Sequence, residues 1–194
     1  MTAFVLGNGL SRRFVDPTEL IKIAPVYACN AIYKEFTPTV LVSTDTPISR
    51  EIQESGYSLQ HRMYTRRPID RLGAHRVPQQ YFGFSSGPIA VALAALDYCD
   101  PIVMIGFDMG PDPMGRFNNV YAGTTHYKKV GSAPTYTGNW VKQLDRIMRD
   151  FDKRTFIRVI GDTTAPVPEL ANRPNFETAT IAELLQQINI QKDL

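Results

Sequence analysis

The stretch that decides the predicted fold is residues 3–14, AFVLGNGLSRRF, near the start of the sequence. An apolar run, AFVL, stops abruptly at Gly7, Asn8 and Gly9, and Ser11 follows two residues later. A short apolar run that ends at glycine is typical of a buried strand in a parallel sheet. Because ligands of open α/β sheets bind beyond the carboxyl ends of the strands, we expect residues 7–11 to lie at a ligand site.

The rest of the chain repeats this alternation of short apolar runs and helical patterns. Further strands are predicted at residues 26–29, 39–43, 60–65, 102–105 and 156–160, and helices at 47–54, 88–99, 138–152 and 181–190. This order predicts an α/β fold in which residues 1–194 form a single domain, a three-layer variant Rossmann fold with a mostly parallel sheet. Two segments without periodicity, at about 61–83 and 109–137, are expected to be loops or lids.

Composition excludes several classes of function. The chain has 21 Lys and Arg against 19 Asp and Glu, a net charge of +2, so we expect no nucleic-acid partner. Cys29 and Cys99 stand in apolar runs without a CxxC pair, which argues against a metal site or a disulfide scaffold. With no signal-peptide pattern and no apolar run of about 18 residues, the sequence predicts a cytoplasmic protein without a membrane span. It leaves open whether the chain forms a homo-oligomer.

The glycine-bracketed loop has two interpretations. Gly7 and Gly9 let the backbone approach a ligand closely, and free N–H groups together with the Asn8 amide suit phosphate or sugar oxygens. The alternative is a plain strand-to-helix turn. The stretch is not a Walker A loop, because it lacks the GKS or GKT ending, and it is not GxGxxG, because Arg12 stands at the last glycine position.

Polar side chains also follow other predicted strands. Asn30 offers a donor and an acceptor to a base or ribose, and Asp45 suits ribose hydroxyls, a cation or the N-cap of the following helix. Asp108 follows a later strand in IGFDMG. Since the carboxyl ends of parallel strands share one edge, we expect these side chains to converge there.

The motif FSSGP, residues 84–88, opens the most apolar helix. Backbone N–H groups at a helix N-terminus form an anion site, so Ser85, Ser86 and Gly87 are candidate ligands of a phosphate or carboxylate. A simple helix cap is the alternative.

Two loops carry further candidates. In residues 116–129, RFNNVYAGTTHYKK, Asn119 and Tyr121 suit a sugar or phosphate, and His126 suits a general base or a solvated surface position. Residues 61–76 contain five arginines and two histidines against one aspartate, which indicates an anion-binding lid in which Arg66 or Arg67 meets an anionic acceptor.

Taken in order, the motifs VLGNGLS, YACNAIY, FSSGPIAVALAAL and IVMIGFDMG followed by NNVY resemble small bacterial sialyltransferases that use CMP-sialic acid, and related variant-Rossmann domains of unknown function. The resemblance covers most of residues 3–151. It implies a CMP-sugar held by Gly7, Asn8, Gly9 and Asn30 near the phosphate and ribose. It places Ser86 and Gly87 near the donor carboxylate or phosphate, and Asp108 near the cytidine.

The resemblance also implies the chemistry. Such enzymes need no metal and no resident cofactor; a tyrosine, matched here by Tyr121, binds the departing phosphate, and a histidine deprotonates the acceptor. That histidine precedes the penultimate helix, where this chain reads APTYTGNW, so His126 is the candidate that would replace it.

The leading hypothesis is therefore a glycosyltransferase-like enzyme that transfers a sugar from a nucleotide, CMP above all, to an unidentified acceptor hydroxyl. One alternative is a Mg²⁺-dependent phosphoryl or pyrophosphoryl transferase, as in related archaeal pterin pyrophosphokinases, with Asp45 and Asp108 as metal ligands. A non-catalytic nucleotide-binding module is the other.

Overall fold

A computed structural model describes the backbone of residues 1–192 and the side chains of residues 1–187. Residues 193 and 194 of the predicted domain, and the side chains at the end of the predicted helix 181–190, lie outside the described part. In the described part of the chain, eight strands form one sheet: β1 (Ala3–Leu6), β2 (Val26–Cys29), β3 (Val40–Val42), β4 (Met63–Thr65), β5 (His75–Arg76), β6 (Ile102–Ile105), β7 (Phe156–Ile160) and β8 (Phe176–Thr180).

The strand order is β5-β4-β3-β2-β1-β6-β7-β8, and every pairing is parallel. The chain moves outward from β1 to β5, returns to place β6 beside β1, and then moves outward on the other side. This reversal between β1 and β6 is the topological switch point at which open α/β sheets bind ligands. The fold is therefore Rossmann-like, and the sheet is entirely rather than mostly parallel over the described residues.

Within residues 1–192, seven α-helices flank the sheet: α1 (Pro17–Leu20), α2 (Thr46–Glu54), α3 (Tyr57–Gln60), α4 (Ser86–Leu96), α5 (Gly138–Asp150), α6 (Pro168–Ala171) and α7 (Ile181–Lys192). Alternate strand residues face two separate cores, as the period of two in a strand requires. Ala3 and Val5 pack with α4 and α5 on one face, whereas Phe4 and Leu6 pack with α2 on the other. Helices on both faces give three layers.

The almost uniformly apolar sequence of α4 is explained by its position. The helix packs against β1, β2, β3 and β6 on one side and against α5 on the other, so its residues 88–95 are all buried. Its N-terminus consequently lies at the carboxyl edge of the sheet, because crossover helices run opposite to parallel strands.

The structure corrects several predicted boundaries. Residues 57–60 form α3, so the strand predicted at 60–65 is shorter, and the segment expected to be a loop up to residue 83 contains β5 and a 3-10 turn. The edge strand β8, sequence FETAT, was not predicted because its largely exposed residues give no apolar run. Residues 109–137 contain no helix or strand, as expected. No helix in the described part of the chain has the length and apolarity that crossing a membrane requires.

Candidate functional site

A cleft of about 450 Å³ opens at the carboxyl ends of the strands, between the segments that follow β1 and β6. The structure brings ten of the predicted site residues to its wall: Gly7, Asn8, Gly9, Asn30, Asp45, Ser85, Gly87, Asp108, Asn119 and His126. The expected convergence of polar strand ends is therefore present as geometry. Ser11, Ser86 and Tyr121 do not line the cleft, and of the two arginines proposed for an anionic acceptor, Arg66 lines it and Arg67 does not.

The glycine loop after β1 has a structural task that its sequence did not reveal. A Cβ atom on Gly7 would collide with the carbonyl oxygen of Gly106, and one on Gly9 would collide with the Asp108 side chain. The glycines therefore allow the loops after β1 and β6 to touch. Both glycines also line the cleft, so the expectation that they let a ligand approach the backbone stays a prediction.

The N–H groups of this loop are also used within the chain. Those of Gly7 and Gly9 donate to the carbonyls of Ile105 and Gly106 at 2.8 and 2.9 Å. Those of Leu10 and Ser11 donate to Asn118 and Asp108 side chains at 2.8 and 3.1 Å. These four N–H groups are therefore not free for a phosphate.

Asp108 connects the two loops. Its buried carboxylate accepts hydrogen bonds from the backbone N–H and the hydroxyl of Ser11, and from the hydroxyl of Thr163 at 2.7 Å. The guanidinium of Arg158 lies buried below and donates to the carbonyls of Phe107 and Asp108 at 2.8 and 2.9 Å. Asp108 and Ser11 thus stabilise the floor of the cleft, and the chain itself occupies three of the acceptor positions of the Asp108 carboxylate.

Asn8 and Asn30 carry amide groups on the β1 and β2 side of the cleft. The Asn8 amide nitrogen donates to the carbonyl of Cys29 at 3.4 Å, while its oxygen is buried without a hydrogen-bond partner among the described residues. Asn30 has a φ of 60°, in the left-handed region, where asparagine is one of the few side chains tolerated. Its amide oxygen accepts from the Ser86 hydroxyl at 3.2 Å, and its amide nitrogen has no hydrogen-bond partner in the described chain.

The N-terminus of α4, where the sequence predicted an anion site at 84–88, lies at the cleft. The Ser86 hydroxyl accepts from the N–H of Thr44 at 3.0 Å, so Ser86 attaches the helix to the end of β3 instead of lining the cleft. No side chain caps the helix. The N–H groups of Ser86 and Gly87 therefore have no partner in the described chain, and the helix dipole makes this end attractive to an anion.

Residues 109–137 fold back across the strand ends. The N–H of Val120 donates to the carbonyl of Asn8 at 2.8 Å, which holds the segment against β1. His126, with a φ of 72°, then points Nε2 at the carboxylate of Glu51 in α2, 2.7 Å away. The sequence did not show whether His126 lies at the site or on the surface. The structure places it in the wall of the cleft, where the Glu51 carboxylate orients its ring.

Glu51 is held by two other groups besides His126. The ammonium of Lys34 and the hydroxyl of Tyr33 each lie 2.6 Å from its Oε1. Hydrogen bonds from Lys34, Tyr33 and His126, in that order, lower the pKa of Glu51 from 4.5 to about 2. The carboxylate is therefore ionised over the whole range in which a histidine base would work.

Tyr127, and not Tyr121, is the phenol at the cleft. Its hydroxyl lies 3.5 Å from the Asn8 amide nitrogen and accepts from the N–H of Ala31 at 3.4 Å. Burial raises the pKa of Tyr127, so the hydroxyl stays protonated. Tyr121 instead bonds Glu35 and Arg12 and lines a second cavity of about 350 Å³. This corrects the assignment of Tyr121 that the family resemblance implied.

The opposite wall of the cleft is aromatic. Phe107, Phe117 and Trp140 line it from the segment after β6 and from the first turn of α5. The ring of Phe107 lies against Gly87, so this aromatic lining adjoins the N-terminus of α4. Such a combination suits a ligand with a planar ring and a negative charge.

Asp45 makes no side-chain cap to α2, although the sequence offered that role, and its exposed carboxylate has no partner in the described chain. Asn119 accepts from the N–H of Tyr121 at 2.9 Å, which leaves its amide nitrogen for a ligand. Sequence reasoning missed Glu51 and Tyr127. Tyr127 directly follows the candidate His126, and this position in the sequence could have indicated it. Nothing in the helix pattern around Glu51 distinguishes that residue.

Comparisons with known proteins found no match to any family model, curated protein or solved structure.

Proposed function

We propose that this chain is a glycosyltransferase-like enzyme of the sialyltransferase type, which binds a nucleotide-activated sugar, CMP-linked above all, in the cleft and transfers the sugar to an acceptor hydroxyl. The observation that carries the proposal is that His126, held by Glu51, lines the same cleft as the free N-terminus of α4. A base and an anion site in one cleft are what this transfer needs.

The proposed division of labour follows the walls of the cleft. The base of the nucleotide lies on the aromatic wall of Phe107, Phe117 and Trp140, and its phosphate lies at the N–H groups of Ser86 and Gly87. The amides of Asn8 and Asn30 bind ribose or sugar hydroxyls.

The reaction is an inverting substitution. With Nε2–H of His126 donating to Glu51, Nδ1 of His126 accepts the proton of the acceptor hydroxyl while the acceptor oxygen forms a bond to the anomeric carbon. The bond from that carbon to the phosphate oxygen breaks, and the electron pair leaves with the nucleotide. The α4 N-terminus and Asn119 stabilise the developing negative charge, with Tyr127 as the nearby phenol in place of Tyr121.

The Mg²⁺-dependent phosphoryl transfer that the sequence left open needs carboxylates from Asp45 and Asp108. Asp45 has a free carboxylate, but that of Asp108 already accepts three hydrogen bonds from the chain. The donor set fits this alternative less well than it fits transfer by a histidine base.

Calorimetry with CMP, CDP, UDP and ATP tests the binding step, and the expected result is tightest binding of CMP, below about 1 mM. Hydrolysis of CMP-N-acetylneuraminic acid is then followed in EDTA, with His126→Gln and, as a control outside the cleft, His75→Gln. A fall of about 10²-fold or more in His126→Gln alone supports the proposal. Absence of nucleotide binding refutes it, activity that requires Mg²⁺ favours phosphoryl transfer, and binding without turnover favours the non-catalytic module.

A further inference from the structure

Arg66, at the end of β4, is fixed in the cleft by two backbone carbonyls. Its Nε donates to the carbonyl of Phe82 at 2.8 Å, and its Nη2 donates to the carbonyl of Phe84 at 2.7 Å. Both acceptors belong to the segment that leads into α4. The guanidinium is therefore held in one orientation beside the start of that helix.

The two bonds use only one edge of the guanidinium. Nε and one N–H of Nη2 form the side of the group, whereas Nη1 and the other N–H of Nη2 form its end. Nη1 makes no hydrogen bond to any described residue, although Arg66 lines the cleft. This leaves a pair of parallel donors without a partner in the described chain.

The charge of Arg66 is also uncompensated. No carboxylate of the described residues forms an ion pair with Arg66. In this Arg66 differs from the arginines that pair with a carboxylate in the described part of the chain. Its neighbour Arg67 is exposed and does not line the cleft. A fixed, unpaired guanidinium end is the geometry that binds a carboxylate or phosphate through two hydrogen bonds.

We propose that the end of the Arg66 guanidinium is a preformed subsite for one anionic group of the ligand, a carboxylate or a phosphate, bound through two hydrogen bonds. The inference deepens the proposed function and rests on it only for the identity of the ligand. The hydroxyl of Ser85, which has no partner in the described chain, is a further donor from the same α4 entrance. The anion is either the nucleotide phosphate or an acidic substituent of the transferred sugar.

The test measures binding of inorganic phosphate, CMP and CMP-N-acetylneuraminic acid to the full chain by calorimetry. The variants are Arg66→Gln, Arg66→Lys and the exposed control Arg67→Gln, each checked by thermal unfolding. Arg66→Lys keeps the charge but cannot form two parallel bonds, so it guards against the case in which Arg66→Gln fails to fold. We expect Arg66→Gln to weaken phosphate binding by about tenfold, Arg66→Lys by about threefold or more, and Arg67→Gln by less than about twofold.

Equal weakening of phosphate binding by Arg66→Gln and Arg67→Gln would mean that the anion responds to the general positive charge of the segment, and it would overturn the subsite. Unchanged binding in both Arg66 variants, or no phosphate binding to the wild type, would also overturn it. Equal losses for CMP and the sugar nucleotide identify the phosphate as the anion, and a loss for the sugar nucleotide alone identifies the sugar carboxylate; both support the subsite. If phosphate binding depends on Arg66 but no nucleotide binds, the proposed function fails and the anion subsite stands.

Discussion

The carboxylate of Asp108 accepts hydrogen bonds from both the backbone N–H and the hydroxyl of Ser11, 97 residues earlier in the chain. These bonds join the loop after β6 to the loop after β1 at the switch point of the sheet. Asp108 and Ser11, which the sequence marked as candidate ligand-binding residues, therefore stabilise the floor of the cleft.

Replacement of Asp108 is expected to lower stability before it affects chemistry. In Asp108→Asn the amide cannot accept the three hydrogen bonds that the buried carboxylate accepts, so the free energy of unfolding should fall by about 2–4 kcal/mol. Ser11→Ala removes one of them and should cost about 1–2 kcal/mol. Urea denaturation measures both. A wild-type unfolding curve for Asp108→Asn would contradict the structural role.

Gly7 is expected to tolerate no side chain. In Gly7→Ala the Cβ collides with backbone of Gly106, which cannot move without separating β1 from β6, so a loss of about 2–4 kcal/mol is expected. Gly83→Ala is the matched control, because a Cβ there meets nothing within 4 Å. That change should shift stability by less than about 1 kcal/mol. Similar thermal unfolding of the two variants would show that the close contact with Gly106 is not the reason why residue 7 must be a glycine.

The two tyrosines of the folded-back segment are expected to differ in their effects. Tyr127→Phe removes the hydroxyl beside Asn8 and should weaken CMP binding by about threefold to tenfold. Tyr121→Phe removes a partner of Arg12 and Glu35 outside the cleft and should leave CMP binding within about twofold while lowering stability by about 1 kcal/mol. Calorimetry and thermal unfolding of both variants separate the assignments, and the reverse pattern would restore Tyr121 to the site.

The Glu51 contacts are expected to weaken only in strong acid. Since the pKa of Glu51 is lowered from 4.5 to about 2 by Lys34, Tyr33 and His126, the folded state favours the ionised form. The resulting stabilisation is fully present above the unfolded pKa of 4.5 and is lost as the pH falls towards about 2.

The variant Glu51→Gln isolates this effect. Its deficit in unfolding free energy relative to the wild type should be constant at neutral pH and shrink below about pH 4.5. Urea denaturation of both proteins near neutral pH and at about pH 3 measures the change in the deficit. A deficit that grows on acidification would show that Glu51 is not stabilised as the carboxylate.

The positions of the buried strands could be predicted from the sequence, because a buried strand leaves a local pattern. The runs at β1, β2, β6 and β7 are apolar and bounded by polar or turn residues, so their positions were predicted to within a residue. β8 escaped prediction because an edge strand exposed to solvent lacks that signal. Local patterns thus reveal buried strands more readily than exposed ones.

The sequence by itself determined which polar groups reach the cleft, since residues that follow parallel strands must gather at one edge: Asn8, Asn30 and Asp45 could be placed from the order of elements alone. The tertiary structure decided which of those groups are free. The backbone N–H groups of Gly7, Gly9 and Ser11 donate to the end of β6 and the loop after it. His126 instead pairs with Glu51, which lies 75 residues away in the chain. The physical reason is that a hydrogen-bonding group can serve a ligand only if the fold has left it unpaired, and its partners are distant in the chain.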